Sequence, residues 1–359
     1  MLADELRAAV ERILTSGRYV LGPEVEAFEN ELAAYHEMPH AVGVASGTDA
    51  IELALRGSGI GHGDEVITVS HTAVATVCAI ERAGATPVLV DIDPRTYTIC
   101  ADAAAAAITT RTKAILAVHL YGHPTDMARL RQITDRRALL LVEDCAQALG
   151  ATLDGRHVGT FGHVAALSFY PTKNLGAFGD AGAVLTADAE IAARVRRLRV
   201  YGQASRGISV ERGMNSRIDE LQAALLRVKL RHLDHHNASR RALAIKYHEK
   251  LHDACPDLTL PIERADVHHA YHLYVVRHRQ RDALRTSLAA RGIETLVHYQ
   301  AAVHEQPAYA HLRAGAGSLQ ETEHAAREVL SLPLYVGLDA GSIDHVARAL
   351  ADFLAGVTA

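Results

Sequence analysis

From about residue 40 to residue 190, short apolar runs follow one another with helix-length segments between them: AVGVA (41–45), EVITVS (65–70), TPVLVDI (86–92), KAILAVHL (113–120), ALLLVED (138–144), VAALSFY (164–170) and GAVLT (182–186). Runs this rich in Val, Leu, Ile and Ala belong to strands covered on both faces, and the lengths between them suit crossover helices. The pattern predicts an α/β fold built on a large, mostly parallel sheet. At 359 residues the chain exceeds what one hydrophobic core ordinarily serves, so two domains of unequal size are expected.

After Asn215 the pattern changes. Residues 218–252 carry Leu221, Leu225, Leu226, Val228, Leu230 and Leu233 at spacings that predict one or two long amphipathic helices. Past Pro256 and Pro261 come a strand-like YHLYVVR (271–277), a helix DALRTSLAARG (282–292) closed by Gly292, and a last helix SIDHVARALADFLAG. We therefore divide the chain into a large α/β domain, 1–235, and a smaller C-terminal α+β domain, 236–359. The polar, Gly- and Arg-rich GQASRGISVERGM (202–214) reads as a long surface loop. The opening MLADELRAAVERIL spaces its apolar residues as an amphipathic helix, unlike the continuous apolar core of a signal peptide.

Several function classes are excluded by composition. Lys and Arg number 37 against 42 Asp and Glu, a net charge of −5, and no basic run could track a phosphate backbone, so nucleic acid is not an expected partner. No stretch approaches a membrane span. The four cysteines, Cys78, Cys100, Cys145 and Cys255, include no CxxC pair, which fits reduced thiols in a cytoplasm. The 22 histidines show no HExxH or related ligand spacing, so no metal is expected.

The segment SFYPTKNLGAFGDAG (168–182) follows a strand and sets one lysine, Lys173, before three glycines. Glycines let backbone approach a ligand closely, and a lysine drawn into an apolar domain is desolvated and becomes a nucleophilic amine more readily. On residue type alone Lys173 also fits an exposed turn. Asp144 closes the run ALLLVED, 29 positions earlier, where parallel sheets bind ligands at the carboxyl ends of their strands. An acid there can pair with a pyridinium nitrogen, and it can equally cap the next helix. Strand alternation turns only one of Glu143 and Asp144 toward such a site. In ASGTDAIELAL (45–55) a strand runs through Ser46, Gly47 and Thr48 into a helix, which offers free amides to a phosphate or forms an ordinary N-cap.

Taken in order and spacing, GRYVLGPEVEAFE (17–29), SGTDA (46–50), GDEVITVSHTAVAT (63–76), VLVDIDPRTY (88–97), VHLYGHPTDM (118–127), EDCAQALGA (143–151), SFYPTKNLGAFGDAGAV (168–184), MNSRIDELQAALL (214–226) and LSLPLYVGL (330–338) resemble the DegT/DnrJ family of sugar aminotransferases over nearly the whole chain. The resemblance implies a fold-type I enzyme using pyridoxal 5'-phosphate (PLP) and its amino form (PMP). It makes Lys173 the lysine that holds the cofactor as a Schiff base and moves the proton between the donor Cα and C4′. It sets Asp144 against the pyridine nitrogen and Gln147 on the phenolic-oxygen side. Gly47, Thr48 and Ser168 would hold the phosphate, joined by Asn215 from the neighbouring subunit of a homodimer, and Tyr121, His298, Tyr299 and His304 would meet the substrate.

Sister proteins that dehydrate sugars with PMP have histidine at the lysine position, so Lys173 implies amino transfer. Many members carry a bulky aromatic after the Pro-x-x-Thr stretch, stacked on the cofactor ring. Here Val69, His71, Thr72 and Ala73 occupy that stretch, so either His71 covers the ring or nothing large does. The segment HYQAAVHEQPAY (298–309) likewise has Gln300 and Ala301 where prolines are common. Within the family, SHTAVAT, LYGHPTDM and FYPTKNLGAFGDAG are most similar to enzymes that aminate C3 of a dTDP-3-keto-6-deoxyhexose for antibiotic amino sugars, with L-glutamate as donor. Amination at C4 of a 4-keto sugar nucleotide and of a keto-inositol are the alternatives. A non-catalytic PLP-binding sensor is the alternative of another class, and it would want an added partner or DNA-binding domain.

Overall fold

The computed structural model describes residues 2–314 and 318–357. Seven strands form the main sheet: β1 (His40–Val44), β2 (Glu65–Val69), β3 (Thr86–Val90), β4 (Thr112–Val118), β5 (Leu140–Asp144), β6 (Val164–Ser168) and β7 (Gly182–Thr186). Each falls within one of the seven apolar runs or within a residue of its start. Their spatial order is β1-β7-β6-β5-β4-β2-β3. Neighbours from β3 through β6 are parallel, and β7 runs antiparallel to both β6 and β1. Nearly every residue of β2, β5 and β7 is buried, as a sheet covered on both faces requires.

Three helices fix the start of the chain. Helix α1 (Leu2–Ser16) turns Ala9 and Ile13 onto Ala224, Leu225 and Val228 of a later helix, the sequence-predicted amphipathic packing. Helix α2 (Pro23–Tyr35) has no capping side chain of its own. Its open amides are instead taken by the buried carboxylate of Glu220, which accepts from Gly22 N at 2.7 Å, Val25 N at 2.8 Å and Glu24 N at 3.1 Å. An anion at a helix N-terminus also opposes the macrodipole there. Helix α3 (Gly47–Gly57) leaves β1 directly, with Ser46 as its N-cap.

Helices α4 (Glu220–Leu230) and α5 (Leu233–Leu251) follow the sheet. Leu233 packs in the cluster that holds Phe28, Phe169 and Leu175, whereas Leu243, Tyr247 and Leu251 join a separate cluster with Tyr274, Leu330 and Leu350. The helix thus starts on one core and ends on another. The second core is built on an antiparallel pair, Tyr274–Arg277 with Val329–Leu332, and on the helices Arg281–Ala290 and Ala340–Val357. The segment read as a loop, 202–214, contains a short hairpin, Gln203–Ser205 with Ile208–Ser209. Such two- and three-residue strands leave no alternation for sequence to display. No described helix is long and apolar enough to cross a membrane.

Candidate active site

β5 ends in two adjacent carboxylates that the pleat sends to opposite faces. Glu143 is wholly buried and accepts from the amides of Gly159 (2.8 Å), Phe161 (2.8 Å) and Gly162 (2.6 Å) and from His119 Nε2 (3.0 Å). Burial works against its charge, but His119 and the amides hold its carboxyl below the usual glutamate value. His119 Nδ1 accepts from Thr125 N at 2.9 Å, so its Nε2 carries the proton given to Glu143. His119 and Glu143 are thus bonded to one another, with buried Cys145 beside them.

Asp144 is also buried, but among the described residues its carboxylate meets only two donors, Thr76 Oγ1 at 2.9 Å and Ala146 N at 3.1 Å. Burial raises its carboxyl above the usual aspartate value, while Ala146, Thr76 and Lys173 pull the other way. An ionised acid so placed calls for a cationic partner. Thr76, one turn into the helix Val74–Arg82 and bonded to Thr72 Oγ1 at 2.9 Å, was not singled out by sequence, although it closes the SHTAVAT run.

The loop after β6 is pinned on both sides. Phe169 N donates to Ala181 O at 2.8 Å and Ala177 N to Phe169 O at 2.7 Å, while Phe169, Leu175 and Ala177 are buried beneath. Gly176 is required there, because a Cβ would strike the Pro171 backbone. Lys173 sits half-buried at the centre of this loop, its amide donating to Tyr170 O at 2.8 Å. Its amine has no hydrogen bond or ion pair among the described residues. Desolvation lowers its pKa to about 8, against the pull of the Asp144 charge.

Across from this loop, Ser46 Oγ accepts from Asp49 N at 3.1 Å, so the ordinary N-cap is present. The two amides before it, of Gly47 and Thr48, have no acceptor among the described residues. Gly47 lies against Ser168 so closely that a Cβ would come within 2.5 Å of the serine Cβ. The structure thus brings together Gly47, Thr48 and Ser168 from α3 and the end of β6.

Gln147 Oε1 accepts from Tyr121 N at 2.7 Å and its Nε2 donates to Tyr299 Oη at 2.9 Å. Tyr121 occupies a left-handed position, φ 60°, in the turn Leu120–Gly122. Its hydroxyl donates to His298 O and lies 2.8 Å from His71 Nε2. His71 is buried and held neutral, its pKa lowered to about 3 by burial and by Arg277. Its ring meets Tyr97 and Tyr121 at centroid distances of 6.0 and 6.1 Å. His298 Nδ1 is 2.8 Å from Ser331 Oγ, and burial and Lys173 lower its pKa.

Two residues expected at the substrate have their polar atoms engaged within the protein. The hydroxyl and the amide of buried Tyr121 are already committed, and it supports His298 instead of meeting a ligand through its own polar atoms. His304, 3% exposed, has Nδ1 2.7 Å from Ser70 Oγ and Nε2 3.4 Å from Glu323, which makes it a brace for the loop that follows. Asn215 is exposed and pairs by backbone with Val200, and the N-cap of α4 is Asp219, so Asn215 does not cap that helix.

A model of the DegT/DnrJ/EryC1/StrS aminotransferase family matches residues 1–351. The chain is 53% identical over 333 residues to a dTDP-3-amino-3,4,6-trideoxy-alpha-D-glucose transaminase of Streptomyces venezuelae, a match covering 93% of this chain and 88% of that protein. Its fold is similar to the crystal structure of S. venezuelae DesV in complex with a ketimine intermediate, with a TM-score of 0.95, 50% identity, and 98% and 95% of the two chains covered. It is also similar to NtdA from Bacillus subtilis with bound cofactor PMP, at a TM-score of 0.93 and 33% identity, covering 99% of this chain and 82% of that one.

Proposed function

The chain belongs to the DegT/DnrJ/EryC1/StrS aminotransferase family and is a PLP-dependent sugar aminotransferase, and from that premise we propose that it transfers the amino group of L-glutamate to C3 of a dTDP-linked 3-keto-deoxyhexose. The support for this substrate is the 53% identity to a dTDP-3-amino-trideoxyglucose transaminase, joined to the Lys173–Asp144 arrangement. The keto carbon gains nitrogen and is reduced, and glutamate Cα loses nitrogen and is oxidised to the ketone of 2-oxoglutarate. No outside oxidant or reductant is needed.

The residues fit the cofactor. Asp144, buried and short of partners, would face the pyridine nitrogen. The open amides of Gly47 and Thr48, with the Ser168 hydroxyl, would take the phosphate at the N-terminus of α3. Lys173, with an uncommitted amine, would hold the aldehyde carbon through Nζ. When bound, PLP supplies the electron sink that stabilises the carbon from which the α-proton leaves. Lys173 Nζ would carry that proton, Gln147 would orient Tyr299, and His298 would present Nε2 to the sugar. His71 stays beneath Tyr121 as a neutral support.

We further place Asn215, from the neighbouring subunit of a homodimer, at the phosphate, and divide the chain at 235/236, in the first turn of α5. Residues 1, 315–317 and 358–359 of those ranges lie outside the described residues. Cytoplasmic location is part of the same proposal. The test is mass analysis of products from dTDP-3-keto and dTDP-4-keto sugars incubated with the protein, glutamate and PLP. A 3-amino product is expected, and amination of the 4-keto compound alone would overturn the assignment.

A further inference from the structure

Two buried hydroxyls stand in a row behind Asp144. Thr72 Oγ1 lies 2.9 Å from Thr76 Oγ1, and Thr76 Oγ1 lies 2.9 Å from Asp144 Oδ2, while Asp144 Oδ1 accepts from Ala146 N at 3.1 Å. Thr72 and Thr76 are each 1% exposed. Thr72 Oγ1 has no other partner among the described residues, so the row is closed at that end. The backbone on either side is pinned: Val303 N donates to Ser70 O at 3.0 Å, and Thr76 N to Ala73 O at 3.1 Å at the start of the helix Val74–Arg82.

The number of protons decides which way the row points. Each hydroxyl has one proton to give and room to accept. With Asp144 ionised, Thr76 gives its proton to Oδ2 and Thr72 gives its proton to Thr76, so both protons in the row are bonded. With Asp144 protonated on Oδ2 there are three protons and still only two contacts between oxygens, so one buried O–H is left with no acceptor. A proton on Oδ1 fares no better, because the group bonded to that oxygen is itself a donor, the Ala146 amide. A buried donor without a partner is the costlier fault, whereas an unused hydroxyl lone pair costs little. Burial alone would draw a proton onto this acid, and the Thr76 hydroxyl opposes it.

We infer that Thr72 and Thr76 are positioning residues for Asp144: a closed relay of two hydroxyls that turns both of its protons toward the carboxylate and so keeps it an ionised acceptor, ready for a cationic ring nitrogen. This rests on the reading of Asp144 as the partner of the pyridine nitrogen. The relay adds Thr72, which does not touch the acid, to the groups that set its charge.

The test reads the Asp144 carboxyl in the full chain without cofactor, by carbon NMR of aspartate-labelled protein against pH, its signal identified by loss in Asp144→Asn. Thr76→Val should raise the midpoint by about one unit or more. Thr72→Val, which leaves the Thr76 donor in place but removes the proton behind it, should raise it by about 0.3 unit. Thr76→Ser and Thr72→Ser, which keep the hydroxyls, should restore the wild-type midpoint. Lys173, His119, Cys145 and Tyr299, the titratable groups coupled to the Asp144 charge, stay in every variant. A midpoint unmoved by Thr76→Val, or unmoved by Thr72→Val, overturns the relay. Should a valine variant not fold, neutron diffraction from deuterated wild-type crystals decides: deuterons on Thr72 and Thr76 directed toward Asp144 support the relay, and a deuteron on Asp144 Oδ2 overturns it. A glutamate half-reaction undiminished in Asp144→Asn would instead defeat the reading of Asp144, and with it any part for the relay in the reaction.

Discussion

Glu143 and Asp144 are consecutive in β5, and the first is saturated by three amides and a histidine while the second meets one hydroxyl and one amide. The same residue class is thus saturated on one face of the sheet and left with spare acceptor capacity on the other.

Glu143→Gln should destabilise the fold, because three amides and His119 lose a charged acceptor in a sealed site. The expected cost is about 2–4 kcal/mol, read from denaturant unfolding, with turnover of the folded fraction little changed. The carboxyl is held below its usual 4.5. Its contribution is therefore complete above that value and is lost as pH falls through the lower folded value. The variant should lack that acid-side slope.

Asp144→Asn removes the charge without the volume. Folding should survive, and the half-reaction with glutamate, followed by cofactor absorbance, should slow by roughly 100-fold or more. Thr76→Val, which strips one of the two donors, should cost about tenfold by the same assay.

Capture of PLP by the cofactor-free chain needs the neutral Lys173 amine. Its rate should climb about tenfold per pH unit and level off above about 8. In Asp144→Asn the plateau should begin at lower pH, since the charge that favours the ammonium is gone. The unfolded lysine keeps its proton up to 10.5. Stability should therefore rise with pH between about 8 and 10.5 from this group, because the unfolded chain binds the extra proton there.

Tyr121→Phe leaves His298 O and His71 Nε2 without their shared partner. A KM for the sugar nucleotide raised by roughly five- to tenfold, with kcat less affected, is expected from the loosened His298. Equal loss in both parameters would count against a support role.

Co-expression of Lys173→Ala with Asn215→Ala chains tests the shared site. Each mixed dimer would hold one site with both residues intact, so random pairing should recover about a quarter of wild-type activity. Recovery absent from mixtures would place Asn215 in its own subunit's site, and activity of the Asn215→Ala chain alone would place it in none.

The sheet was legible because strands buried on both faces write themselves as unbroken apolar runs. The burial of Asp144 and the desolvated position of Lys173 were legible because a strand-end acid and loop glycines are local signals. The hairpin at 203–209 was not, being too short for alternation. That the polar groups of Tyr121 and His304 are taken up by residues remote in sequence, His298 and Ser70, could not be read from sequence.

Among the described residues β1 pairs with β7 and with no other strand. On the ribosome, His40–Val44 must therefore wait for Gly182–Thr186 to emerge, roughly 7–30 s at ordinary elongation rates. For that interval an apolar edge lies open in the nascent chain. Synthesis speed between these two segments, and chaperones that shield extended apolar stretches, should govern the yield of this protein more than the stability of the finished fold.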